Sequence, residues 1–148
     1  MKITFPYMGS PVIYKKLLEL FGHEIVMPPR PTRRTIDLGV KYSPEFACFP
    51  YKVLLGTYLE ALELGADTIV TSGGSGPCRA GFYCEVHKKT LESMGYDVDI
   101  IVFDDYSRDP KRFFDNILKL KGKNSWFKTL MNIILVYKFA KAIDSLQK

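Results

Sequence analysis

Long hydrophobic runs are missing from this 148-residue chain. The longest uncharged apolar stretch, Thr129 to Tyr137, is far below the ~20 residues a bilayer-spanning helix needs, so no membrane span is expected. The opening MKITFPYMGS has one lysine and a short apolar run broken by Pro6, too little for the core of a signal peptide, and a cytoplasmic location is the expectation. Cysteine is scarce and odd in number: Cys48, Cys78 and Cys84. An odd count without an export signal speaks against a disulfide framework, leaving metal binding or plain burial to explain the thiols. The CxxC pairs of a strong metal motif are absent. Histidine is limited to His23 and His87.

Acid is short in one region. Residues 1–104 carry 11 basic and 12 acidic groups, whereas residues 105–148 carry 10 and 4, so the whole net charge of +5 comes from the tail. Such a tail fits a polyanion-binding or membrane-surface segment; Lys119, Lys121 and Lys123 around Gly122 read equally as a solvated helix end and linker. Nucleic acid is not expected as a partner. What the chain does have is 47% apolar and 14% aromatic residues, enough to fill one core and to argue against disorder.

Lys2 to Phe5 is β-prone and ends at Pro6 and Gly9; Val12, Leu17, Leu18 and Phe21 then show helical spacing up to Gly22. Ile25 to Met27 reads as a second strand closed by Pro28 and Pro29, and residues 30–50 read as irregular. A helix is signalled from Tyr51 to Leu64, with Gly65 as its stop, and Thr68 to Thr71 is a fully buried strand. Beyond the turn SGGSGPC, Phe82, Val86, Leu91 and Met94 suggest a helix, and Asp99 to Phe103 a fourth strand. This alternation predicts an α/β fold with an approximately four-stranded parallel sheet covered on both faces. After Asp105 two helices are expected, from Pro110 through Leu120 and from Ser125 through Leu146. The expected organisation is a cysteine-bearing α/β domain over residues 1–105 and a C-terminal helical extension over 106–148. The last helix is apolar around most of its circumference, which implies burial against this domain or a partner: a second copy, making a homo-oligomer, or a larger protein.

Ligands of open α/β sheets bind beyond the carboxyl ends of the strands, so the segments after strands one, two and three are expected to open on one edge. Cys78 follows Gly73, Gly74 and Gly76 and precedes the helix that carries Cys84. Glycines there let backbone N–H groups approach an anion, and the helix dipole favours a thiolate. Cys48 also stands at a helix start. Two thiols at helix N-termini with a third close by suit an iron–sulfur cluster, whose negative charge such dipoles stabilise. Three small buried residues is the other reading of the same cysteines. A zinc site using Cys84 and His87, three apart on one helical face, is a weaker alternative to a surface His87 beside Lys88 and Lys89. Gly74 and Gly76 with Arg30, Arg33, Arg34 and Arg79 suit phosphates of a nucleotide or coenzyme A, and solvated loop arginines fit as well.

The stretches FPYMG, PPRPTRRTIDLGVKYSPEFACFPYK, LGTYLEALELGADTI and GGSGPCRAGFYCEV resemble the 2-hydroxyacyl-CoA dehydratase group and its acyl-CoA dehydratase activase-related proteins, over roughly residues 1–104. The resemblance implies a Rossmann-like three-layer domain, a [4Fe-4S] cluster in an anaerobic organism and a place as a component of an acyl-CoA dehydratase-like system. It also implies low-potential electron transfer or radical chemistry on a coenzyme A thioester, with an ATP-dependent activator as partner. It puts weight on Cys48 and Cys78. Relatives often read GGCGPCR; Ser75 stands in place of the first of those cysteines, and Cys84 is the candidate third ligand. Relatives are also usually much longer.

Overall fold

The computed structural model describes residues 1–71, 79–102, 110–122 and 124–146. Four strands, β1 (Lys2–Thr4), β2 (Glu24–Ile25), β3 (Thr68–Thr71) and β4 (Asp99–Val102), form one sheet. Its order is β2-β1-β3-β4 and every pairing is parallel, with Ile3 beside Thr68 and Val70 beside Ile101. The expected α/β architecture is therefore what the chain adopts. The chain runs outward from β1 to β2 and, after β3, in the opposite sense to β4. The gap between the carboxyl ends of β1 and β3 is thus a topological switch point, the place where such sheets leave room for a ligand.

Alternation along the strands divides the core into two layers. Ile69, Ile100 and Val102 point to one face, where α3 (Phe49–Glu63) and α4 (Tyr83–Ser93) cover them with Leu55, Tyr58 and Leu91. Ile3, Phe5, Val70 and Ile101 point to the other, under Leu18 of α1 (Pro11–Leu20) and Leu120 of α5 (Pro110–Lys121). Asn116 of α5 donates its side-chain amide to the Val102 carbonyl at 3.1 Å, tying that helix to the end of β4. A 3₁₀ turn, Arg79–Phe82, leads into α4, and α6 (Trp126–Leu146) packs on α1.

The segment expected to be irregular holds a helix, α2 (Arg33–Tyr42), and this is a correction to the reading of residues 30–50. Alone, RRTIDLGVKY is a poor helix: Thr35 is β-branched and Gly39 interrupts it. Its stability comes from α3. The two helices run antiparallel and close enough that a Cβ on Gly39 would lie 1.8 Å from the Lys52 carbonyl oxygen, and one on Gly56 would lie 1.9 Å from that of Thr35. At the start of α2 the Thr32 N–H donates to Thr35 Oγ1 at 2.9 Å, and the Thr35 hydroxyl donates to the buried Glu60 carboxylate at 2.6 Å. Two glycines in contact faces and one buried hydroxyl–carboxylate pair thus fix the crossing of α2 on α3.

Candidate functional site

The first turns of α3 and α4 sit side by side at the carboxyl edge of the sheet. Cys48 is the N-cap of α3, with extended backbone, and its Sγ is hydrogen-bonded to the phenol oxygen of Tyr83, the first residue of α4. Pro50 follows at the second helical position, where its missing N–H costs nothing. Behind this pair lies a cavity of about 300 Å³ walled by Phe46, Ala47, Tyr51, Phe82 and Val86 as well as Cys48 and Tyr83. Its walls are almost wholly apolar, so a thiol and a phenol are the polar groups offered to anything that enters.

An aromatic stack supports the floor. Tyr51 and His87 lie face to face, 4.1 Å between ring centres and 12° apart, and Tyr83 and Tyr58 meet the His87 ring edge-on at 5.9 and 5.2 Å. Each polar tip has a partner. The His87 Nε2 lies 3.3 Å from the Tyr51 carbonyl, which can only accept, so Nε2 carries the proton of a neutral imidazole. The Thr90 hydroxyl donates to the Val86 carbonyl at 2.8 Å, so Tyr51 donates to Thr90 at 3.1 Å. Tyr58 donates to Thr71, the last residue of β3, at 3.3 Å. Burial pulls the His87 imidazole down to about 4, outweighing the opposing effect of its bond to Tyr51. Burial likewise pushes the Tyr51 and Tyr58 phenols above their ordinary range. His87 is 2% exposed, which corrects the expectation of a surface histidine beside Lys88 and Lys89. Those lysines do face outward: Lys88 pairs with Glu92 at 3.9 Å.

The other expected site residues fall in three places. Cys84 is the second residue of α4, next in the chain to Tyr83, but its side chain is buried in the core layer close to Tyr58 rather than on the cavity wall. Cys78, Gly74 and Gly76 lie outside the described residues, as does the side chain of Arg79. Among the described residues no three His, Cys, Asp or Glu side chains are grouped to hold a metal, which includes the Cys84 and His87 pair considered for zinc.

The arginines form the third group, and for Arg33 and Arg34 the expectation that they open on the same edge as Cys48 is corrected. Because α2 runs antiparallel to α3, Arg33 and Arg34 stand by the carboxyl end of α3, about 20 Å along the helix from Cys48 at 1.5 Å per residue. Arg34 is paired there with Glu63 at 2.6 Å and Glu60 at 3.8 Å. Arg30 is exposed in the loop before α2. His23, the other histidine, bonds the Leu120 carbonyl at 2.7 Å on the opposite face of the sheet.

Tyr51 and Tyr83 line the candidate site and were not singled out from the sequence, where His87 was weighed only as a zinc ligand or a surface residue. One signal for them was present: Tyr83, His87 and Thr90 recur at helical spacing and so share a face with Cys84 and Leu91. Fold and site together define a three-layer α/β domain with a thiol–phenol pair over an apolar cavity. No family model, curated protein or solved structure matches the chain.

Proposed function

We propose that this protein binds an iron–sulfur cluster at the carboxyl edge of its sheet and serves low-potential electron transfer, as a cysteine-bearing component of an acyl-CoA dehydratase-like system. The observation that carries the reading is the meeting of Cys48 and Tyr83, which joins two helix N-termini at the mouth of an apolar cavity. Of the three candidate ligands, Cys48 stands at the cavity, and Cys84 would have to turn out of the core layer to reach it. Cys48 offers a thiolate ligand, and Cys78, which precedes the turn leading into α4, is the second. Cys84 is the third candidate, one residue from Tyr83. Backbone N–H groups at the starts of α3 and α4 favour negative charge, and the phenol of Tyr83 would donate to the sulfur once it is a thiolate. Cys48 is exposed at the cavity mouth, where a cluster could reach it, and His87 stays neutral at physiological pH, adding no charge beneath it. When bound, the cluster supplies single-electron reduction. The apolar cavity suits the acyl portion of a coenzyme A thioester, and an ATP-dependent activator is the electron donor this reading requires.

Purification under strict exclusion of oxygen, with assay of iron, acid-labile sulfide and charge-transfer absorption, tests the proposal. Iron and sulfide in the purified or reconstituted protein are expected, with loss in Cys48→Ser and in Cys78→Ser. Whether Cys84→Ser keeps the cluster decides the third ligand. A protein that takes up neither iron nor sulfide sinks the reading.

A further inference from the structure

Helix α6 is turned inside out. The residues it buries against the domain include Thr129 and Asn132, and the Asn132 amide donates to the Leu20 carbonyl of α1 at 3.0 Å. Facing outward are Trp126, Phe127, Leu130, Met131, Ile134 and Tyr137, each between 44% and 75% exposed. At 150–250 Å² for an aromatic side chain, Trp126, Phe127 and Tyr137 alone leave on the order of 400 Å² exposed, and Leu130, Met131 and Ile134 extend the same stripe. The stripe is as large as the ~300–600 Å² of the largest apolar patch on a typical monomer. It is a large share of the ~800 Å² that each partner buries in a stable interface.

The outward residues are not scattered. Phe127, Leu130, Ile134, Tyr137 and Lys141 follow one another at alternating steps of three and four, the 3.5-residue seam along which helices pair. We propose that this seam is a homodimer interface in which α6 of one copy packs antiparallel on α6 of a second, about a two-fold axis at Ile134. Charge selects the direction. A parallel pairing would set Lys128, Lys138 and Lys141 each against its own copy, three cations to the one carboxylate, Asp144, that the helix sequence carries. The antiparallel register instead lays Lys141 over Phe127 and Lys138 over Leu130 of the other copy, where the ammonium meets a ring face or the stem covers apolar surface. A groove of about 320 Å³ between α6, α1 and α5, lined by Phe21, Phe113 and Tyr137 among others, adds room for a bulky side chain beside the seam. The inference is independent of the thiol site.

Sedimentation of the full chain at micromolar concentrations reads the outcome directly. A dimer is expected, with its mass halved in a Phe127→Glu, Ile134→Glu variant whose circular dichroism is unchanged. Register is read from cross-linking, which does not depend on that variant folding. Ile134→Cys should form a disulfide with its own copy, and a mixture of Phe127→Cys and Lys141→Cys proteins should form the mixed disulfide, assigned by peptide mass. A chain monomeric throughout the concentration range overturns the proposal. So does a dimer indifferent to Ile134→Glu, a 127-to-127 cross-link, or a monomer that instead floats with phosphatidylserine vesicles in a manner lost on Ile134→Glu.

Discussion

Helices α3 and α6 are built from similar material and end in opposite circumstances. Both are apolar around most of their circumference, yet α3 is buried from Leu54 through Ala61, whereas the described side chains of α6 bury little beyond Thr129, Asn132 and Val136. The difference is a second layer. The chain supplies α2 to cover the face of α3 that the sheet leaves open, and two glycines let that cover approach to backbone contact. Among the described residues nothing plays that part for α6. An all-round apolar helix therefore reports that two surfaces must meet it, without saying whether the second belongs to the same chain.

The comparison can be broken most severely at Gly56. In an exposed helix, Gly→Ala gains roughly 1 kcal/mol of helix propensity. Here the new methyl would lie 1.9 Å from a backbone oxygen that cannot move without parting α2 from α3. Gly56→Ala should lose about 3 kcal/mol or more by urea denaturation, as overpacking at a rigid contact does. A gain in stability would show that the helices do not touch.

Acid should loosen the same helix from its other side. His87, stacked on Tyr51, titrates at about 4 in the folded chain against 6.5 unfolded. The unfolded chain therefore binds more protons between those values, and stability is lost as pH falls from about 6.5 to about 4. At 1.36 kcal/mol per unit this approaches about 3 kcal/mol. His87→Phe should flatten the pH dependence of the urea midpoint over that window; an equally steep profile in the variant would assign it to other groups.

Removing the polar tie between α2 and α3 is a smaller change. Glu60→Ala leaves the Thr35 hydroxyl buried without its acceptor and should lower stability by about 1–3 kcal/mol. The exposed Arg34 ion pairs add little to that figure. On α6 the same kind of insult should barely register in the monomer: Ile134→Glu is expected to change the stability of the separated subunit by no more than about 0.5 kcal/mol, while shifting association. Thermal melts at dilution separate the two effects. Least of all, Thr4→Val should be neutral or slightly stabilising, because the buried Thr4 hydroxyl has no hydrogen-bond partner among the described residues. A loss of more than 1 kcal/mol by denaturation would reveal one.

How far the site could be read in the chain depended on whether each signal was local. Cys48 at a helix start was legible because Pro50 and the apolar positions after it announce α3 from sequence. Thr68 to Thr71 was legible because a buried parallel strand is a continuous β-branched run. α2 was not, since Gly39 reads as a breaker until the facing Lys52 backbone gives it a reason. His87 was misread because two flanking lysines suggest a wet surface, while helical geometry turns the position between them and Val86 toward three tyrosines.

Sequence alone was enough for the alternation of strand and helix, the parallel sheet, the place of Cys48 at a helix N-terminus and the surplus of apolar surface on the last helix. Each of these follows from hydrophobic period and capping, which act within a few residues. Tertiary structure alone decided that Tyr83 meets Cys48, that Cys84 turns into the core, and that Arg34 is held by Glu63 far from Cys48. Those outcomes depend on which helices pack together and how closely, and no neighbour in the chain carries that information.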